Sequence, residues 1–180
     1  MSKKSFFIGV ICILVFLVML FPTVTYADQY YDQYPGNAFI PRYQTTVYYR
    51  SMTSSYIYHD DTTDEGYMCP VTFNVPDGST YFIKSIGIRY KDNLTDGYLH
   101  ILLKRINLYT GNEHTVASWN SDPVAANPSV LTASQGTETG YKLVDTKKFV
   151  YWLYVQFFRT GEVNPSQGLM LYQVRVHYGT

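Results

Sequence analysis

The C-terminal stretch from Phe149 to Tyr178 restricts the fold of this chain more than any other. In its last part, Met170, Tyr172, Val174, Val176 and Tyr178 alternate with Leu169, Leu171, Gln173, Arg175 and His177. Successive side chains on a strand point to opposite faces, so the even positions can line a core while most odd ones meet water. The preceding stretch Phe149–Arg159 (FVYWLYVQFFR) is apolar at both parities, the pattern of a central strand covered on both sides. Between them, Gly161, Asn164, Pro165 and Gly168 are residues that turn a chain. The expectation is a hairpin with a long loop that closes a β-sheet domain.

The same reading extends upstream. Thr45–Arg50 and Ser54–Tyr58 are short runs of Tyr and β-branched residues, which favour strands. Tyr67–Val75 is a third, and Pro70 within it predicts a sheet edge or a bulge. Pro76-Asp77-Gly78 then forms a turn, since Pro presets one dihedral and Gly accepts a positive one. Thr80–Lys91 places Phe82, Ile86, Ile88 and Tyr90 on one face. In Tyr98–Tyr109 the apolar parity changes from Leu99, Ile101 and Leu103 to Ile106 and Leu108, which predicts a bulge near Lys104-Arg105. Thr110-Gly111-Asn112 turns into a strand at His114–Trp119. Asn120–Gly140 is polar with one weak strand at Ser129–Ala133, and Tyr141–Asp145 is a short strand. Eight to ten strands without a convincing helix predict an all-β fold: an antiparallel β-sandwich, jelly-roll-like, preceded by an N-terminal signal helix.

That signal occupies residues 1–27. Lys3 and Lys4 give a positive start, Phe6–Phe21 is an uncharged apolar run, Pro22 breaks it, and Thr25-Tyr26-Ala27 ends in small residues at the positions a signal peptidase reads. An uncleaved anchor is the alternative. The apolar run is 16 residues long, short of the roughly 20 a spanning helix needs, which favours cleavage after Ala27. Cys12 lies inside the run without a small-residue cleavage context, which disfavours a lipid anchor. The expected location is secreted, periplasmic or in the cell envelope, with no membrane insertion once the signal is removed. Residues 28–36 (DQYYDQYPG) read as a flexible lead-in and residues 37–180 as a single β-sandwich domain.

Removing 27 of the 180 residues leaves 153. A domain of that size buries about 68–70% of its unfolded surface and needs no disulfide for stability. All 14 acidic residues lie after residue 27, with 12 of the 14 Lys and Arg, so this part carries a formal charge of −2. Without a basic block, nucleic acid is excluded as a partner. Cys69 is the one cysteine outside the signal. Either it pairs between chains or it is a small buried hydrophobe, and its place between Met68 and Pro70 in an apolar run favours burial.

Several short motifs carry a resemblance: Phe39-Ile40-Pro41, Cys69-Pro70-Val71 running into Val75-Pro76-Asp77-Gly78, Ile88-Arg89-Tyr90-Lys91-Asp92-Asn93, Tyr154-Val155, and Leu171-Tyr172-Gln173-Val174-Arg175-Val176-His177-Tyr178. Together the chain resembles a group of exported bacterial single-domain β proteins to which no activity is attached. Asn74-Val75 stands where that pattern has a leucine before Pro-Asp-Gly. The resemblance implies one exported β domain of bacterial type and transfers no catalytic residue.

Motifs for catalysis are missing. Gly136-Thr137-Glu138-Thr139-Gly140 has the wrong central residue for a nucleophile elbow, and no H-E-x-x-H, phosphate loop or cysteine pair for zinc occurs. His100 and His177 read as solvated strand residues, and His59 and His114 lie in or beside loops. No enzyme and no obligatory cofactor are expected. Calcium is the one metal with a candidate site: Asp60, Asp61, Asp64 and Glu65 form an acidic loop able to offer several oxygens, although a solvated turn explains them as well. Asp92, Asn93 and Asp96 form a second such loop. Trp119, beside Asn120 and Asp122, can stack on a sugar ring while its neighbours bond hydroxyls. Tyr151, Trp152 and Tyr154 offer rings on a strand that a core role explains equally well.

Three functions stay open. The chain is a binding module for carbohydrate or another envelope component, a structural or self-associating surface protein, or a hydrolase whose site assembles only in three dimensions. The fold is compatible with each.

Overall fold

Strands form here because β-branched and aromatic residues pack well on a pleated, half-buried surface. The computed structural model describes residues 29–42, 49–51, 56–58, 65–76, 79–95, 97–122, 126–138, 140, 142–159 and 168–180. Among them run eleven strands: β1 (Gln29–Pro35), β2 (Ile40–Pro41), β3 (Tyr49–Ser51), β4 (Tyr56–Tyr58), β5 (Glu65–Val71), β6 (Phe82–Asp92), β7 (Gly97–Asn107), β8 (Glu113–Asn120), β9 (Asn127–Gly136), β10 (Phe149–Arg159) and β11 (Leu169–Gly179). A single 3-10 turn, Gly36–Ala38, joins β1 to β2. Residues 1–27, where the sequence predicts a signal, lie outside the described residues.

The strands form two antiparallel sheets packed face to face. The first has the order β3-β4-β11-β6-β9, with β1 lying beside β4 on the same edge of β11. The second has the order β2-β5-β10-β7-β8. Phe39, Tyr67, Ile83, Ile86, Leu99, Ile101, Leu103, Leu153, Phe157, Val174, Val176 and Tyr178 fill the space between them. The all-β sandwich is the fold expected from the sequence.

The closing hairpin does not form. β10 lies in the five-stranded sheet between β5 and β7, and β11 lies in the six-stranded sheet beside β6. Each is central to its own sheet, and residues 160–168 carry the chain from one to the other. β10 packs on the core with one parity, and on the other Tyr154 is only 8% exposed. Tyr151, Leu153, Val155 and Phe157 face the core, while Val150 on the opposite parity is 47% exposed. The strict alternation in β11 also fails at its start. A register shift between Leu171 and Gln173 inserts Tyr172 as an extra residue, so Leu169 and Leu171 face inward before it and Val174, Val176 and Tyr178 after it.

Two further bulges move the expected parities. Lys84 is extra on β6 opposite His177 and Tyr178, which turns Ile83 inward and leaves Phe82 38% exposed. The bulge expected at Lys104-Arg105 belongs to the partner strand: Leu103 pairs with Ala117 and Lys104 with Thr115, so Val116 of β8 is the extra residue. β7 keeps one parity throughout, and Arg105 continues the inward row of Leu99, Ile101 and Leu103. Its guanidinium lies 4.0 Å over the Phe149 ring and donates to Leu143 O at 3.4 Å, so the charge closes one end of the core.

The segment read as a flexible lead-in supplies β1, which pairs with β11 from Gln29–Gly179 to Pro35–Gln173. Its inward residues are Tyr30, Asp32 and Tyr34, and Tyr30 stacks on Tyr178 at 5.5 Å. An alternation built from Tyr and Asp escapes a reading based on hydrophobicity. Likewise the weak strand at Ser129–Ala133 extends to the ten residues of β9 on the edge of the sheet. The strand expected at Tyr141–Asp145 reduces to one bridge between Leu143 and Phe82. Pro70 does mark an edge, because β2 pairs only with Tyr67 and Met68 and stops before it. The turn at Pro76 closes with Ser79 N–H donating to Pro76 O at 3.2 Å.

Cys69 faces the core at 5% exposure, opposite Leu153, and burial pushes its thiol up to about 11. The thiolate is the reactive form. A disulfide reagent such as dithionitrobenzoate at pH 8 should therefore leave the native thiol unmodified over minutes and modify it fully in denaturant. Rapid reaction of the native chain would contradict this burial.

Candidate functional site

The five-stranded sheet turns an apolar face away from the core. Cross-strand register aligns five rows on it: Val150 with Ile106; Pro70, Trp152 and Lys104; Ile40, Met68, Tyr154 and Leu102; Gln156 with His100; and Phe158 with Tyr98. The opposite parity of β10 faces the core, so this row is set by the period of two alone. Ile40 is 53% exposed. Tyr98 and Phe158 stack at 4.5 Å with their planes 18° apart.

Tyr154 lies flat at the centre of this face because Gly66 beneath it has no side chain. A Cβ built on Gly66 would come within 2.2 Å of the Tyr154 hydroxyl and 2.6 Å of its ring. Arg42 and Lys104 lie 5.8 and 5.5 Å from the ring centroid, within cation–π range. Lys104 also forms an ion pair with Glu113. Trp152, Tyr154, Met68, Arg42, Lys104 and Glu113 line a cleft of about 110 Å³. The cleft combines two aromatic walls with a rim that both donates and accepts hydrogen bonds.

Below the cleft, His100 Nε2 and Ser118 Oγ are 3.0 Å apart. Burial, and then the charge of Lys104, hold His100 below its ordinary value near 6.5. A neutral imidazole beside a hydroxyl is half of a nucleophilic site. Nearby backbone N–H groups of β7, β8 and β10 lie in the β7–β8 and β7–β10 ladders, where they serve the sheet.

The residues singled out in the sequence go to different places. Trp119 pairs with Ile101 on the inner face, packs against the core and meets Tyr90 edge-on at 4.7 Å. Asn120 has the opposite parity, and both it and Asp122 are exposed. The three therefore form no common surface. Tyr151 is a core residue, whereas Trp152 and Tyr154 have the outer parity, with Tyr154 at 8% exposure. Asp60, Asp61 and Asp64 lie outside the described residues, and Glu65 begins β5. Among the described residues no group of three or more His, Cys, Asp and Glu is placed to hold a metal ion.

Asp92 serves an internal role. It continues the inward row of Ile86, Ile88 and Tyr90 and is 1% exposed. Its Oδ1 accepts from Leu94 N–H at 3.2 Å, and Ser121 Oγ donates to its Oδ2. Ser121 Oγ in turn accepts from Leu99 N–H at 2.9 Å. One carboxylate and one hydroxyl thus tie the end of one sheet to the end of the other. Burial raises the Asp92 carboxyl above its ordinary 3.8, against the lowering effect of these two donors.

No family model matches the chain, and no curated protein does. Among solved structures, the isomalto-dextranase of Arthrobacter globiformis T6, complexed with panose, is similar at a TM-score of 0.38 and 14% identity. The match covers 81% of this chain and 23% of that one, so the chain spans less than a quarter of that enzyme's length. A likeness this loose carries no argument about activity.

Proposed function

We propose that this protein is an exported, non-catalytic module that binds a glycan on the outer face of its five-stranded sheet. The observation behind this reading is the cleft between Trp152 and Tyr154, rimmed by Arg42, Lys104 and Glu113. Sugars present C–H faces that stack on aromatic rings and hydroxyls that need donors and acceptors together, and this cleft offers both. At about 110 Å³ it suits the edge of one sugar ring rather than an enclosed ligand. Export rests on the positive, apolar and small-residue parts of residues 1–27.

The test is binding of the full chain to a panel of neutral polysaccharides, with calcium and again with chelator. Saturable binding is expected, and Trp152→Ala should weaken it at least about tenfold, since an aromatic anchor in a contact is worth roughly 1.4 kcal/mol or more. Far-UV circular dichroism checks that the variant folds. Loss with chelator would show that binding needs a divalent cation. Panel-wide absence of binding, with concentration-dependent dimerisation that Val150→Lys abolishes, would replace this reading by self-association through the same apolar face.

A further inference from the structure

The outer face of the six-stranded sheet has the opposite character. Lys84, Arg89, Lys91 and Arg175 stand on it along β6 and β11. Asp32 and Asp92, the acids on the described strands of this sheet, both point inward. A chain whose overall charge is close to zero therefore gathers cations on one surface. Arg175 pairs with Gly87 and Gln173 with Arg89. The two arginines are thus diagonal neighbours on one face, with Cα atoms roughly 7–8 Å apart. Among the described residues neither has a carboxylate partner. Two cations on neighbouring strands attract an anion to the space between their strands.

The space for that anion is present. Gly87, Arg89, Thr132, Gln173 and Arg175 line a depression of about 450 Å³, within the range of small-molecule sites. Gly87 is its floor, and a Cβ there would meet Arg175 Cβ at 3.8 Å. Aromatic rings hold both guanidinium groups in place, Tyr31 at 5.5 Å from Arg175 and Tyr172 at 5.8 Å from Arg89. Tyr31 is itself stacked on His177 at 4.4 Å, and Gln173 donates to Gln33 at 2.7 Å. Guanidinium groups fixed this way bind oxyanions bidentately without losing further freedom.

We infer that this depression is a second binding site, which takes an acidic sugar residue with its carboxylate or phosphate between Arg89 and Arg175. The volume exceeds that of a bare ion, and the amide and hydroxyl of Gln173 and Thr132 serve the sugar hydroxyls. The two sheets place this site on the side of the molecule opposite the Trp152 cleft, so it stands independently of that reading.

The test is calorimetry on the full chain with three probes: an oligogalacturonate, glucose 6-phosphate and a neutral glucose oligomer. Binding of either acidic probe is expected, weakening as salt rises, and the probe that binds identifies the oxyanion. Arg175→Gln should reduce it at least about tenfold. Gly87→Val fills the floor with a side chain suited to a strand and should abolish binding while the thermal midpoint stays at or above that of the native chain. The inference is overturned if neither acidic probe binds, if the neutral oligomer binds as well at this site, or if both variants bind as the native chain does.

Discussion

Gly36→Ala is expected to destabilise the domain by about 3 kcal/mol, the upper end of what overpacking one buried position costs. Gly36 sits in the 3-10 turn after β1 and is buried. A Cβ there would lie 2.1 Å from Leu171 O, 2.7 Å from Ile57 N and 2.9 Å from Tyr56 Cα. All three are backbone atoms of β4 and β11, where they pair at Met170–Tyr58 and Leu171–Ile57. No rotamer change can relieve the contact, so the turn must lift off the sheet or the strands must part. Gly136 is the control. It ends β9, has nothing within 4 Å of a built Cβ, and does not require positive φ. Gly136→Ala should be neutral or stabilise by about 0.5 kcal/mol through the unfolded chain. Urea midpoints at equal slope measure both. Equal midpoints for the two variants would show that Gly36 is not packed as described.

Ser121→Ala is the second large effect, expected at about 3 kcal/mol at pH 7. The lost hydroxyl leaves Leu99 N–H without its acceptor and Asp92 without one of its two donors. An unsatisfied buried group costs about 1–3 kcal/mol, and more when charged. The cost must also depend on pH. Asp92 has its carboxyl raised by burial, so its contribution to stability is complete below its ordinary value near 3.8 and is lost as pH rises through the raised folded value. Ser121 bonds the ionised form and limits that rise. Without it the folded value climbs further, so the variant loses more stability between pH 4 and 7 than the native chain does. At pH 3, where the carboxyl is protonated, the difference should shrink to about 1 kcal/mol. Asp92→Asn in the Ser121→Ala background should recover most of the loss at pH 7. A cost independent of pH would remove Asp92 from the explanation. Chemical denaturation across pH 3–7 provides the measurement.

These two residues also show where reading the sequence stops. Asp92 and Ser121 are far apart in the chain, and each looks like an ordinary loop polar residue. Their joint role requires knowing that β6 and the end of β8 meet across the sandwich. The same holds for the two faces. Arg89 and Arg175 lie in separate strands, so the absence of a basic block in the chain concealed a basic surface. Trp152 and Tyr154 were visible as aromatic residues. Only the pairing of β10 within its sheet shows that they take the outer parity while Tyr151 joins the core. Trp119 misled for the converse reason: its polar neighbours suggested a surface loop, yet β8 continues through it and turns its ring onto Tyr90.

By itself the sequence determined the local states: an all-β chain, the turns at Pro76 and Gly111, the edge at Pro70 and the burial of Cys69. These depend on φ preferences, the missing proline N–H and the two-residue period of a strand, all of which act over a few residues. Tertiary structure decided which strands pair, where Tyr172, Lys84 and Val116 bulge, and which parity is covered. Those outcomes depend on how two sheets share one core, and the same alternation can satisfy a hairpin or a crossing between sheets. Only the packing of the second sheet selects between them, and with it the faces left open to a ligand.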